Sequence, residues 1–131
     1  MAASNLPIFP DTPAYGVANI SSAFTARTTT GVTSLTSVLA AGADGTVIDR
    51  VRIVASATTT AGMVRLWVYA GSGNAQLLHE EPVSAITPSA TVAVFSTEVV
   101  LENLVLPTGY TLYASTHNAE AFNVFAFGGH Y

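Results

Sequence analysis

The chain has 131 residues, of which 9% are charged and 50% are hydrophobic, and its formal net charge is −4. It has no cysteine, which excludes disulfides, thiolate metal sites and cysteine nucleophiles, and its 4 basic residues, all arginine, leave no basic face for nucleic acid. No stretch approaches the about 20 apolar residues of a membrane span, so we expect one domain, made in a cytoplasm, that binds neither nucleic acid nor membrane.

The N-terminal residues differ in composition from the rest of the chain. Three prolines within this segment fix φ, remove backbone donors and favour extended neighbours. We predict an extended N-terminal arm over residues 1–13 and a single β-sandwich domain over residues 14–131. The arm either lies across its own sandwich or reaches a neighbouring subunit, and in the second case Ile8 and Phe9 are its contact residues.

The remaining sequence alternates between apolar and polar residues with a period of two, which predicts β-strands. Gly-rich and Pro-bearing turns separate several of them. Pattern alone does not separate a jelly roll from an immunoglobulin-like sandwich, although the Cys…Trp…Cys spacing of immunoglobulin domains is missing. We predict an all-β fold, a jelly-roll-like antiparallel β-sandwich. Its strands, about eight in number, cover residues 15–20, 34–39, 47–55, 63–70, 77–83, 91–101, 110–116 and 122–127.

The predicted strand over residues 63–70 has two apolar faces of different character. Its aliphatic residues alternate with Arg65, Trp67 and Tyr69, so these three side chains share the opposite face. Aromatic residues and arginine without other charges are typical of the centre of a protein interface. We therefore predict that these three residues contact a partner.

Side chains capable of catalysis are scattered along the sequence. His79 and Glu81 share a strand face and are the one pair that could in principle hold a metal, but a solvated strand end before Pro82 explains them better. The run Gly71-Ser72-Gly73 lacks the frame of a serine nucleophile elbow and is typical of a hairpin loop. We expect no catalytic site, no metal and no cofactor, and hence no enzyme.

Four segments, taken together, carry a resemblance to a known group of proteins. They are Asn5-Leu6-Pro7-Ile8-Phe9, the stretch from Ala41 to Arg52, the stretch from Leu106 to Leu112, and Phe127-Gly128-Gly129-His130-Tyr131. Along nearly its whole length the chain resembles a family of small structural proteins encoded in tailed phages and prophages. His130 departs from the more usual Gly-Gly-Asp-Tyr ending. The resemblance implies a virion structural protein and supplies no site residues.

Composition and resemblance lead to the same expected function. An ordinary soluble domain is roughly 25% charged, so a chain with 9% charge is suited to packing against copies of itself or a larger shell. We expect a capsid decoration or cement protein on the exterior of a tailed-phage head, made in the bacterial cytoplasm. Its expected partners are the major capsid protein and copies of itself, in a dimer or trimer.

One alternative function remains open at this stage. A tail or head-fibre module could use the same fold to bind a host surface glycan through exposed aromatic residues, since fold does not determine function. Trp67 would then belong to the sugar-binding platform. A cellular enzyme is a third possibility, which would require a metal bound at His79 and Glu81.

Overall fold

The computed structural model describes residues 9–131, which form eight β-strands and no helix. None of these residues therefore belongs to a helix that could cross a membrane. The strands are β1 (Thr12–Ile20), β2 (Thr36–Ala40), β3 (Thr46–Ala55), β4 (Gly62–Tyr69), β5 (Gln76–Val83), β6 (Ser96–Leu106), β7 (Thr111–Thr116) and β8 (Phe122–His130).

The predicted strands are confirmed, and all but one agree with the structure to within a few residues at each end. The exception is β6, which spans Ser96–Leu106 and not residues 91–101, so it both begins and ends later than predicted. The Ser89 side chain accepts hydrogen bonds from the backbone N–H groups of Thr91 and Val92, which folds this stretch into a turn. The apolar residues there resemble a strand in sequence, but their backbone groups are used locally.

The strands form two four-stranded antiparallel sheets that pack into a jelly-roll sandwich. The first sheet has the order β1-β8-β3-β6 and the second has the order β2-β7-β4-β5. The first strand pairs with the last, the second with the seventh, the third with the sixth and the fourth with the fifth. This is a long antiparallel ribbon rolled into two layers, so the predicted fold class is confirmed.

The core lies between the two sheets and is aliphatic. Val51 and Ile53 of β3 are fully buried, and Val64 and Leu66 of β4 meet them from the opposite sheet. In both strands these buried residues occupy every second position, as the period-two pattern of the sequence requires of an inner face. The outer faces of the two sheets therefore carry the alternate residues. These faces differ in whether another part of the chain packs over them.

The two sheets approach most closely where β1 meets β2. The inward residues of β1 in this region are small, namely Ala14, Gly16 and Ala18. A Cβ atom at Gly16 would lie 2.2 Å from the carbonyl oxygen of Val38. Only glycine allows the β2 backbone to come this close, so this residue closes one side of the sandwich.

The beginning of the described chain only partly overlaps the predicted arm. Ile8 lies outside the described residues, while Phe9 is 75% exposed. The backbone N–H of Asp11 donates to the carbonyl oxygen of His130 at 2.6 Å. Thr12 and Pro13, which the sequence assigns to the arm, pair with β8 as the first residues of β1.

We expect Gly16→Ala to lower the free energy of unfolding by about 3 kcal/mol, because the added methyl group meets a backbone carbonyl that cannot rotate away. Gly109→Ala is the matched control. Gly109 has φ of 87° and no atom within 4 Å of an added Cβ, so its cost is backbone strain of about 1 kcal/mol. Urea unfolding measures both values, and equal losses would contradict the close-contact explanation.

Candidate functional site

The outer face of the second sheet is covered by the chain itself. Residues 21–35, which connect β1 to β2 and which we call the cover segment, cross this face without forming a strand. The backbone N–H of Phe24 donates to the carbonyl oxygen of Thr116 at 2.9 Å, and the Phe24 ring lies 5.9 Å from the ring of Trp67. The cover segment therefore lies over Trp67.

This cover corrects the predicted contact surface. Arg65 and Trp67 do share the face of β4 opposite the core, but they are 1% and 0% exposed. The Trp67 indole donates to the Ser115 hydroxyl at 2.9 Å, so its polar atom is also satisfied inside the chain. Tyr69 is half-buried and meets Tyr113 edge-to-face at 5.9 Å. Arg65 and Trp67 contact the chain's own cover segment and leave no free surface for a partner.

Arg65 is a buried cation whose donors are satisfied by three different elements. Its Nε donates to Glu80 Oε2 at 2.8 Å, and its Nη1 donates to the Phe24 carbonyl oxygen at 3.3 Å. Both Nη atoms lie 3.3 Å from His117 Nδ1. A guanidinium group has no acceptor, so this ring nitrogen accepts and the histidine proton is on Nε2. Each nitrogen of the buried guanidinium group therefore has an acceptor within the chain, and one of these acceptors is a carboxylate.

Glu80 joins the buried arginine to the cover segment. Its Oε2 also accepts from Arg27 Nε at 2.8 Å, and Arg27 belongs to the cover segment. These hydrogen bonds, from Arg27 first and Arg65 second, hold the pKa of the Glu80 carboxyl below its ordinary value of 4.5. The Glu80 carboxylate thus links Arg27, an exposed residue of the cover segment, to Arg65, which is buried beneath that segment.

The pair considered as metal ligands is a local polar contact. His79 Nε2 lies 2.9 Å from Glu81 Oε1, and Thr97 donates to the other Glu81 oxygen at 3.4 Å. Among the residues that the structure describes, no group of three or more His, Cys, Asp or Glu side chains is placed to hold a metal ion. A zinc site would need further ligands beyond this pair.

The outer face of the first sheet has a different character. Two neighbouring rows of side chains cross its four strands in the order β1, β8, β3, β6. We call these eight residues the aromatic face. The first row is Tyr15, Phe127, Arg50 and Val100, and the second row is Val17, Phe125, Arg52 and Glu98.

The aromatic face is open to solvent. Tyr15 is 60% exposed, Val17 46% and Val100 66%, while Phe125 and Phe127 are half-buried by their neighbours. No described residue covers them, in contrast to the second sheet. Monomeric proteins seldom expose contiguous apolar patches of this kind unless the patch binds something.

The side chains of the aromatic face are ordered by contacts among themselves. The rings of Phe125 and Phe127 stack at 6.4 Å with an interplanar angle of 7°, and Tyr15 lies 5.6 Å from Phe127. The guanidinium carbon of Arg50 sits 5.1 Å from the centre of the Phe127 ring, within cation–π range. The result is a preformed apolar surface that carries positive charge.

Sequence reasoning did not single out this face, because it selected the outer face of the second sheet. The same signal was present, since Tyr15 and Val17 alternate with small residues and Phe125 and Phe127 alternate with Val124 and Ala126. What separates the two outer faces is the cover segment, which has no periodicity of its own. The strands that the cover segment crosses are determined by contacts between residues that are far apart in the sequence, such as Arg27 and Glu80.

We expect Glu80→Gln to lower the free energy of unfolding at neutral pH, because it removes the carboxylate that pairs with buried Arg65. Ionised Glu80 stabilises the folded chain above its unfolded pKa, and this contribution is lost as pH falls below 4.5 and through the lowered folded pKa. The difference between variant and wild type should therefore shrink in acid. Urea unfolding over a pH series measures it.

Glu98→Gln is the control for this experiment, because it removes an equal charge from an exposed position that does not touch Arg65. We expect it to cost less than Glu80→Gln at neutral pH, since exposed ion pairs contribute little. A Glu80→Gln profile that runs parallel to wild type at every pH would contradict the role assigned to Glu80.

Comparisons with known proteins add little to this geometry. No protein-family model and no curated protein matches the chain. Among solved structures, a chain of the cyanophage Pam1 capsid asymmetric unit aligns with 100% of this chain and 93% of that chain, at 12% sequence identity and a TM-score of 0.37. So low a TM-score supports no conclusion about this chain. The resemblance of the sequence to a phage family therefore stays a prediction.

Proposed function

We propose that the protein is a virion structural protein of the decoration or cement type, which attaches to the exterior of a tailed-phage head through its aromatic face. The observation that carries the proposal is the exposure of Tyr15, Val17 and Val100 beside two stacked phenylalanines, on a sheet face that none of residues 9–131 covers. A decoration protein needs such a face, because its working state is the bound one.

Physical chemistry supports a protein partner for this face. Aromatic residues and arginine are enriched at the centres of protein interfaces, while lysine and acidic residues are depleted there. The chain has no lysine, and the aromatic face carries a single acid, Glu98. A protein that binds only the assembled shell stabilises that state by its binding free energy at every site it occupies.

The proposed role is structural and not catalytic. Among the titratable side chains of the described residues, His79 contacts Glu81, and Arg27, Arg65 and Glu80 form the network that holds the cover segment. The aromatic face offers contact area and two guanidinium groups beside a single carboxylate, Glu98, which suits binding. The proposed partners are the shell subunit and copies of this chain.

A second candidate function is favoured by one observation on the same face. Tyr15 is 60% exposed and lies in a row with Phe127 and Arg50, an arrangement of aromatic ring and polar neighbour that sugar-binding sites use. Host glycan binding by a tail or head-fibre module is therefore the alternative. The aliphatic residues Val17 and Val100 favour protein over sugar, because they offer a glycan no hydrogen bond.

We expect Tyr15→Ala to lower the number of copies retained on purified heads by at least about tenfold at limiting protein, since truncation of an aromatic hot-spot residue in an interface costs about 2 kcal/mol or more. Tyr69→Ala is the matched control, because Tyr69 lies on the second sheet. Quantitative mass spectrometry against the major capsid protein measures the copy number.

Wild-type copy numbers comparable to the shell subunit support the decoration role. Absence of the protein from purified particles would overturn it. A handful of copies per particle, combined with binding to a glycan array that Tyr15→Ala abolishes, would establish the alternative.

A further inference from the structure

The positive charge of this chain is distributed in a way that its sequence does not reveal. Of the four arginines, Arg27 and Arg65 are both bound to Glu80 at the cover segment. The other two, Arg50 and Arg52, lie side by side on the outer face of β3. Since the chain has no lysine, the aromatic face holds both of the arginines that do not bind Glu80.

Arg50 is held in place by its neighbours, but they do not satisfy all of its hydrogen-bond donors. Its guanidinium group lies over the Phe127 ring, and its Nη1 is 3.8 Å from Glu98 Oε2, which is beyond hydrogen-bond distance. The side chain remains 53% exposed. Because the stack on the ring restricts the side chain before any partner arrives, less conformational entropy is lost on binding.

Arg52 is also largely unsaturated. Its Nη2 donates to the Ser96 hydroxyl at 3.1 Å, and this is its one side-chain hydrogen bond among residues 9–131. A guanidinium group has five N–H donors in a planar fork that matches the two oxygens of a carboxylate. Arg50 and Arg52 occupy successive positions on one face of β3, among apolar side chains. Their two guanidinium groups form a recognition surface for carboxylates.

We propose that the partner of the aromatic face is a protein surface that presents carboxylates to Arg50 and Arg52 from within an apolar patch. This inference rests on the proposed function and names the chemistry of the shell surface that the protein binds. Charge complementarity carries it, because burial of two arginines against an apolar surface without acids would leave only Glu98, 3.8 Å from Arg50, to balance two positive charges, and burying an unbalanced charge is costly.

The other occupants fit the face less well. A second copy packed face to face would offer one carboxylate, Glu98, to two arginines, and one arginine per copy would stay unpaired. A nucleic acid would meet a chain of net charge −4 with only these two free basic groups. An acidic polysaccharide would pair with the arginines, but it would offer Val17 and Val100 no apolar surface to pack against.

The experiment uses phage heads purified without this protein, to which purified full-length chains are added. Binding isotherms are recorded for wild type, Arg50→Gln, Arg52→Gln and the double variant. We expect each single substitution to raise Kd by about tenfold or more, the effect of losing one charge-assisted hydrogen-bonding group. Arg52→Gln is the cleaner variant, because Arg52 does not stack on the Phe127 ring.

Arg27→Gln is the matched control, since it removes the same charge from the cover segment and should leave Kd unchanged. Arg50→Lys keeps the charge without the planar fork, and we expect an intermediate Kd. Wild-type binding should also weaken between about 0.1 M and about 1 M NaCl, where the Debye length falls from about 10 to about 3 Å. The double variant should lose most of that salt dependence.

Each other result is decisive. If wild type binds heads and the glutamine variants bind equally, with the same salt dependence, the proposed function stands and the acidic partner surface is overturned. If sedimentation equilibrium shows that the arginine variants change only self-association, the partner is a second copy and the inference is wrong. If wild type binds an acidic polysaccharide but does not bind heads, the ligand is a glycan. If wild type does not bind heads, the proposed function itself fails.

Discussion

The ion pair between Arg65 and Glu80 is the interaction on which the arrangement of the surface depends. A guanidinium group that is 1% exposed must be paired within the chain, because an unpaired buried charge costs far more than folding can supply. Glu80 of the neighbouring strand provides the anion, and the Phe24 carbonyl provides a further acceptor. Since Phe24 belongs to the cover segment, the same hydrogen bond that satisfies Arg65 also holds the cover segment on the sheet.

This arrangement divides the surface of the sandwich into two unlike halves. The second sheet hides Trp67 beneath Phe24, and its arginine is neutralised by Glu80. The first sheet leaves Tyr15 and its neighbours uncovered, and its arginines keep most of their donors. A jelly roll has two outer faces, and residues 9–131 contain one cover segment, so these residues leave the aromatic face open. The proposals on function begin from that asymmetry.

Much of the fold follows from local pattern. In β3 and β4 the buried residues Val51, Ile53, Val64 and Leu66 occupy alternate positions, in agreement with the period-two pattern that predicted strands there. The start of β6 was predicted too early because the Ser89 turn and a strand share apolar composition. The jelly roll was preferred over an immunoglobulin-like sandwich without decisive evidence, and the pairing of the first strand with the last confirms it.

The candidate site shows where sequence information ends. By itself the sequence determined an all-β sandwich, its strands, its lack of lysine and the presence of aromatic residues on strand faces turned away from the core. It could not determine that Trp67 is covered and Tyr15 is not, because the cover segment and the strands it crosses are joined by contacts such as Arg27 with Glu80, far apart in the chain. Strand alternation is a local property of successive Cβ atoms, whereas the exposure of an outer face depends on which distant segment packs over it, and only the tertiary structure decides that.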